Sequence, residues 1–108
     1  MHVGLGTFFQ NLGKKVSDAE VYAHQVAMAD QAEPLGFESI WCPEHHFDDY
    51  TMSPNPAQFL TYLAGRTETV KLGSMVTVLP WHDPVRVAEE WSLLDNLSQG
   101  RAILGIGR

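Results

Sequence analysis

The sequence predicts an α/β fold in which parallel strands alternate with helices, and three observations carry that prediction. Four short β-prone runs, His2–Phe9, Phe37–Trp41, Val70–Leu79 and Ala102–Ile106, are separated by three stretches with helical spacing of apolar residues. Strand then helix, repeated, requires parallel strands joined by right-handed crossovers. The runs begin near residues 2, 37, 70 and 101, a repeat of about 33 residues, and eight such units give roughly 260, close to a (β/α)8 barrel. Finally, the residues able to do chemistry follow the strands rather than precede them, as in folds that bind ligands at the carboxyl ends of parallel strands. The expected architecture is the N-terminal half of a (β/α)8 TIM barrel, in the order strand–helix–strand–helix–strand–helix–strand. Residues 1–108 are read as one incomplete barrel domain. A small open doubly wound sheet is the alternative; it usually carries a fifth strand and helices on both faces.

The first helix is announced by Ser17-Asp18-Ala19-Glu20, a capping box with Ser at the N-cap and Glu three residues on. Val21, Tyr22, Val26, Met28, Ala29 and Ala32 mark its buried face. Gly36 is the expected residue after its C-cap, and Pro34, which lacks an N–H, predicts fraying near Ala32–Glu33. The second helix opens at Asn55 as N-cap and Pro56 as first helical residue, with Phe59, Leu60, Leu63 and Ala64 inward. The third opens at Asp83-Pro84, carries the stripe Val87, Trp91, Leu94 and Leu97, and ends at Gly100.

Composition narrows the function classes. Seven basic and 13 acidic side chains give a net charge of −6, and 44% of residues are apolar, a globular rather than disordered balance. No Lys/Arg cluster is present to neutralise phosphates, which argues against a nucleic-acid partner. No apolar run approaches a membrane span, and Met1–Gly6 lacks the pattern of a signal peptide. Cys42 is the one cysteine, so no intrachain disulfide forms and a reducing, cytoplasmic setting fits. Lys14-Lys15 and Asp48-Asp49 read as solvated turns, His2 and His24 as incidental, and Trp41, Trp91, Met75 and Cys42 as packing residues.

The strand ends carry the candidates. Gln10-Asn11 follow the first run, Glu44-His45-His46 the second, Trp81-His82 the third, and Gly105, Gly107 and Arg108 lie at the fourth. Loops are polar in any protein, which accounts for Gln10 and Asn11. It accounts less well for two adjacent histidines between a carboxylate and Phe47. An imidazole near neutral pH can take or give a proton, and a neighbouring Glu can orient it. Successive residues at a strand end point to opposite sides, so one histidine of the pair should face the barrel mouth. Acid/base or polar ligand contact ranks first, structural hydrogen bonding second and metal last, because adjacent ligands chelate one ion poorly and no HxxxH or CxxC spacing occurs. No metal ligand set is expected. Gly105-Ile106-Gly107-Arg108 would let a ligand approach the backbone closely and offers a cation to phosphate. The glycines follow the last run and the first loop lacks GxGxxG, so a dinucleotide-binding fold is not expected.

In order and spacing, several segments resemble the N-terminal half of the bacterial luciferase-like, flavin-dependent monooxygenase family. They are Gly36-Phe37, Ile40-Trp41, Glu44-His45-His46-Phe47, Asn55-Pro56, Thr67-Glu68-Thr69, Gly73 and Val78-Leu79-Pro80, then Pro84-Val85-Arg86, Ala88-Glu89, Leu94-Asp95, Leu97-Ser98 and Gly100-Arg101. The resemblance implies a (β/α)8 barrel and an enzyme that uses reduced FMN and molecular oxygen to oxygenate a small organic substrate. It also implies a flavin reductase as supplier of reduced flavin, and a homo-oligomer. By position, His45 matches the catalytic histidine, and Glu44 a cofactor contact. Met75-Val76 matches the segment under the flavin ring, where the family has a non-proline cis peptide. Arg108 matches a basic residue near the flavin phosphate. Gly107 stands where luciferase itself has a reactive cysteine, which points to a relative rather than a light-emitting enzyme. Remaining phosphate contacts and much of the substrate pocket belong to strands five to eight of the family fold. Two further readings stay open: a deazaflavin-dependent oxidoreductase of the same superfamily, and a non-catalytic α/β module acting through self-association.

Overall fold

The computed structural model describes residues 1–108. Its elements are β1 (Gly4–Gly6), α1 (Asp18–Ala29), β2 (Ser39–Cys42), α2 (Pro56–Ala64), β3 (Lys71–Ser74), β4 (Thr77–Val78), α3 (Pro84–Leu97), β5 (Ala102–Ile103) and β6 (Ile106–Gly107). A four-stranded sheet runs β1-β2-β3-β5, in sequence order and parallel throughout, and β4 pairs with β6 beyond it. Sequential parallel order is what a barrel wall requires, whereas an open doubly wound sheet reverses order at a switch point. The structure is therefore a partial barrel, three strand–helix units and a fourth strand of the wall.

The two long runs at 70–79 and 102–106 differ from expectation, because each forms two short strands. Val70–Leu79 is interrupted at the cis peptide Met75–Val76, and Ala102–Ile106 is interrupted at Leu104–Gly105. The two interruptions lie side by side, so the ladder resumes as β4 on β6 with Thr77 opposite Ile106 and Val78 opposite Gly107.

Alternation sorts the strand residues by face. Ile40, Cys42 and Leu72 are fully buried and join Val21, Ala29, Leu60, Leu63, Val87, Trp91 and Leu94 of the helices in one core cluster. On the other face the side chain of Trp41 lies across three strands. A Cβ added at Gly4 would fall 2.6 Å from its Nε1, and one at Gly73 2.5 Å from its Cε3, so glycine on both flanking strands makes room for the indole. Trp41 is only half-buried there; it is a plate on the concave face, not a core residue of the helical layer.

The caps form as the sequence dictates. Ser17 and Glu20 make the full capping box, Asn55 accepts from Gln58 N–H, and Asp83 accepts from Val85 and Arg86 N–H. Helix α1 ends earlier than expected, at Ala29. Residues 30–36 continue as turns, and Gly36, at φ +81°, closes that turn rather than the helix itself. Leu97 also departs from its stripe and is exposed. No helix is long and apolar enough to cross a membrane.

Glu33 fastens the α1 turn to the start of β3. Its Oε1 accepts from the backbone N–H groups of Glu68, Thr69 and Val70 and from the Thr69 hydroxyl. Burial pushes this carboxyl up, but the four donors outweigh it and hold it below its ordinary value near 4.5. A carboxyl depressed on folding contributes stability above its unfolded pKa and loses it as pH falls through its folded pKa. Asp30, held down by hydrogen bonds from Arg66, acts in the same direction. The urea midpoint is expected to fall with pH below the range near 4.5. Glu33→Gln should flatten that acid limb; an unchanged limb would contradict the assignment.

Candidate functional site

Glu44 sits two residues past β2, with a side chain that has no exposed surface. An ionised carboxylate there is tolerable only if it is fully partnered. Three donors converge on it. Its Oε1 accepts from Nε2 of His46 and from Nε2 of His82, each at 2.7 Å, and its Oε2 accepts from the Val78 N–H at 2.9 Å. A carboxylate only accepts, so each ring carries a proton on Nε2. Both rings keep a little exposure, 19% for His46 and 20% for His82. The His46 ring also stacks on Trp81, with centroids 4.5 Å apart and planes 15° from parallel. Glu44 thus fastens the loop after β2 to the loop after β4.

The adjacent histidines part, as alternation requires. His45 is exposed, its ring set edge-on to Tyr50 with centroids 5.9 Å apart, while its backbone N–H donates to Ser53 at 2.9 Å. Together with Lys14, Tyr22 and Phe47 it lines an open cleft of about 330 Å³ between the loops after β1 and β2. Lys14 and Asp49, read from the sequence as solvated turns, hold that cleft together. The Lys14 ammonium pairs with Asp49 at 2.8 Å and with Asp18 at 2.9 Å. The two hydrogen bonds to these carboxylates, Asp49 first, raise the Lys14 pKa.

A second group of residues meets where the strands break. Met75 N–H donates to Cys42 O at 2.8 Å, and Thr77 N–H to Gly105 O at 2.7 Å. The Ser74 hydroxyl lies between, donating to Gly105 O and accepting from Gly105 N–H. Met75 is 44% exposed, so it is a surface residue at the strand ends and not the packing residue that composition suggested. A Cβ on Gly107 would fall 2.5 Å from Val76 Cγ2, which is a physical reason for glycine at this position. Arg108 follows directly and is exposed. Phe8, Phe47, Tyr50, Trp81 and Ile106, all at or beyond the carboxyl ends of the strands, are exposed.

Of the residues singled out from sequence, Met75 and Val76 thus meet the Gly105–Arg108 segment, and Glu44 meets His46. His45 is not in contact with the Glu44 carboxylate. Both oxygens of that carboxylate are engaged within the protein, so Glu44 reaches a ligand only by exchanging one of these hydrogen bonds. His82 is the partner that sequence spacing did not reveal. The available signal was topological: residues after neighbouring parallel strands become neighbours, whatever their separation in the chain.

Cys42 is fully buried at the end of β2. Burial pushes its thiol up to about 11, against the opposing hydrogen bonds of Ser53 and Thr7. The folded chain should resist iodoacetamide at pH 8 and react promptly in urea, because the thiolate is the nucleophile. Equal rates in both conditions would contradict the placement.

Comparison with known proteins agrees with the partial-barrel fold. The sequence profile of the family described as luciferase-like monooxygenase matches residues 1–108. Limonene 1,2-monooxygenase of Rhodococcus erythropolis is 38% identical over 106 residues, which are 97% of this chain and 27% of that protein. The alkanal monooxygenase alpha chain of Photorhabdus luminescens is 39% identical over 92 residues, 85% of this chain and 25% of that one. Among solved structures, the monooxygenase RslO1 from Streptomyces bottropensis superposes with a TM-score of 0.91 at 32% identity, over 100% of this chain and 33% of its own. The oxygenating constituent of 3,6-diketocamphane monooxygenase from Pseudomonas putida, solved with FMN, gives 0.88 at 28% identity, over 99% of this chain and 29% of its own. A coenzyme F420-dependent tetrahydromethanopterin reductase from Methanopyrus kandleri gives 0.71 at 27% identity, over 98% and 26%. The chain spans no more than about a third of the length of these relatives.

Proposed function

The chain belongs to the luciferase-like monooxygenase family, and from that premise we propose that it is the N-terminal part of a barrel that uses reduced FMN and oxygen to oxygenate a small organic substrate. One observation supports the placement of the cofactor. The Met75–Val76 segment, the Gly105–Arg108 strand end and the buried Glu44 carboxylate come together at the carboxyl ends of the strands. When bound, reduced flavin would supply the electrons that activate oxygen. Met75 and Val76 would lie under an apolar ring face, and exposed Arg108 would offer a cation to a phosphate. His45, exposed at the rim, holds or moves the proton of the reaction. Glu44 contributes through the two imidazoles it fixes. The apolar rim of Phe8, Phe47 and Trp81 helps exclude water once the opposing wall is in place.

The 108-residue chain presents its concave face, with Trp41 half-buried, to solvent. Exposed apolar faces and strand edges favour association. The chain alone is therefore expected to bind reduced FMN weakly and to show no turnover. Micromolar affinity with substrate-dependent oxygen consumption by this chain would overturn that expectation. A deazaflavin is the second reading for the cofactor, prompted by the F420-dependent relative. Absorbance titration of the whole protein with FMN and with the deazaflavin separates the two. A flavin reductase as electron source and self-association into an oligomer complete the proposal.

A further inference from the structure

We propose that Glu44, His46 and His82 form a binding site for a divalent transition-metal ion, with Zn2+ as the preferred occupant. One carboxylate oxygen and two imidazole nitrogens lie within 4.8 Å of one another. Each Nε2 is 2.7 Å from the same Oε1. A tetrahedral ion about 2.1 Å from each atom needs its ligands roughly 3.4 Å apart. The two nitrogen–oxygen separations, now 2.7 Å, therefore open by about 0.7 Å, and the rings swing toward each other around the ion. Two imidazoles and one carboxylate are a donor set suited to zinc rather than to magnesium or calcium, which prefer oxygen alone. Three protein ligands leave a position for water, as in open zinc sites.

The surroundings favour such a site. Val78 N–H holds Oε2 at 2.9 Å and Trp81 holds the plane of His46, so two ligands are oriented by groups that do not themselves bind the ion. The residual exposure of both rings gives an ion a way in. In the hydrogen-bonded state each Nε2 carries a proton, and coordination needs its lone pair. A neutral ring transfers that proton to its own Nδ1 through solvent; a charged ring releases one to bulk. The chain offers this donor set although no ligand spacing announces it, because His82 comes from the loop beyond the neighbouring strand. His45, turned toward Tyr50, takes no part. The proposal does not depend on the flavin reading.

The test uses the whole protein, tag-free and without added flavin, with Zn2+ by calorimetry and Co2+ as the coloured probe. One equivalent should bind saturably, with visible cobalt bands of low coordination number, no thiolate-to-cobalt charge-transfer band, and a raised unfolding temperature. Glu44→Gln and His82→Ala should each weaken binding by roughly 100-fold or more, whereas His24→Ala should leave it unchanged. Either variant whose far-ultraviolet circular dichroism matches the parent suffices. Absence of saturable binding below millimolar metal, or binding that survives a folded Glu44→Gln or His82→Ala variant, overturns the site.

Discussion

Gly105→Ala is expected to destabilise the chain by about 3 kcal/mol, at the upper end of what overpacking costs. The added Cβ would lie 2.2 Å from the Ser74 carbonyl oxygen and 3.3 Å from its carbon. Both are backbone atoms, so no side-chain rotation relieves the contact. The same two residues also share hydrogen bonds, Ser74 Oγ to Gly105 O at 2.8 Å and Gly105 N to Ser74 Oγ at 3.1 Å. Separating them to admit a methyl group stretches these bonds and the Thr77 N–H bond to Gly105 O. Gly65→Ala is the control. Gly65 closes α2 at φ −79°, and its added Cβ would make an ordinary 3.7 Å contact, so its midpoint should hold or rise slightly. Urea unfolding of the two variants side by side measures the contrast, and equal midpoints would contradict the close approach of β3 to the Gly105 segment.

Arg101→Met is expected to cost about 3 kcal/mol or more, because it orphans several buried acceptors at once. Arg101 is 8% exposed, with no carboxylate among its partners. Instead its guanidinium donates to five acceptors: Ser98 O, Thr67 Oγ1, Val70 O, Ala64 O and Thr67 O, at 2.7 to 3.1 Å. Ala64 is the last residue of α2, and Ser98 caps α3. The cation therefore sits where two helix dipoles present their negative ends. Methionine fills the space but leaves those carbonyls unpaired. Arg101→Lys should recover only part of the loss, since one ammonium cannot reach five acceptors in this fork geometry. Denaturant midpoints for the two variants check this; a methionine variant as stable as the parent would mean that the carbonyls are solvated by other means.

Helix positions were legible in the sequence because caps and prolines act locally. Ser17-x-x-Glu20, Asn55-Pro56 and Asp83-Pro84 each fix a helix start through hydrogen bonds within a few residues. Parallel pairing was legible from the repeat. Strand interruption was not: Val70–Leu79 and Ala102–Ile106 read as continuous β-prone runs, and only the meeting of Ser74 with Gly105 shows why both break at one level. The early end of α1 follows from Pro34 only in direction. At the site, Glu44 and His46 stood out through their chemistry, whereas their connection to His82 depends on strand adjacency. Arg101 gave no functional signal and has a structural task at the opposite end of the strands from His45.

The proposed function requires reduced FMN to meet this chain at the carboxyl ends of its strands. Anaerobic titration of the isotopically labelled chain, followed by amide and side-chain chemical shifts, addresses that directly and tolerates weak binding. Saturable changes concentrated at His45, Met75, Val76 and Gly105–Arg108 are the predicted result. Changes confined to the opposite strand ends, around Glu68 and Lys71, or no saturable change at millimolar flavin, would contradict it.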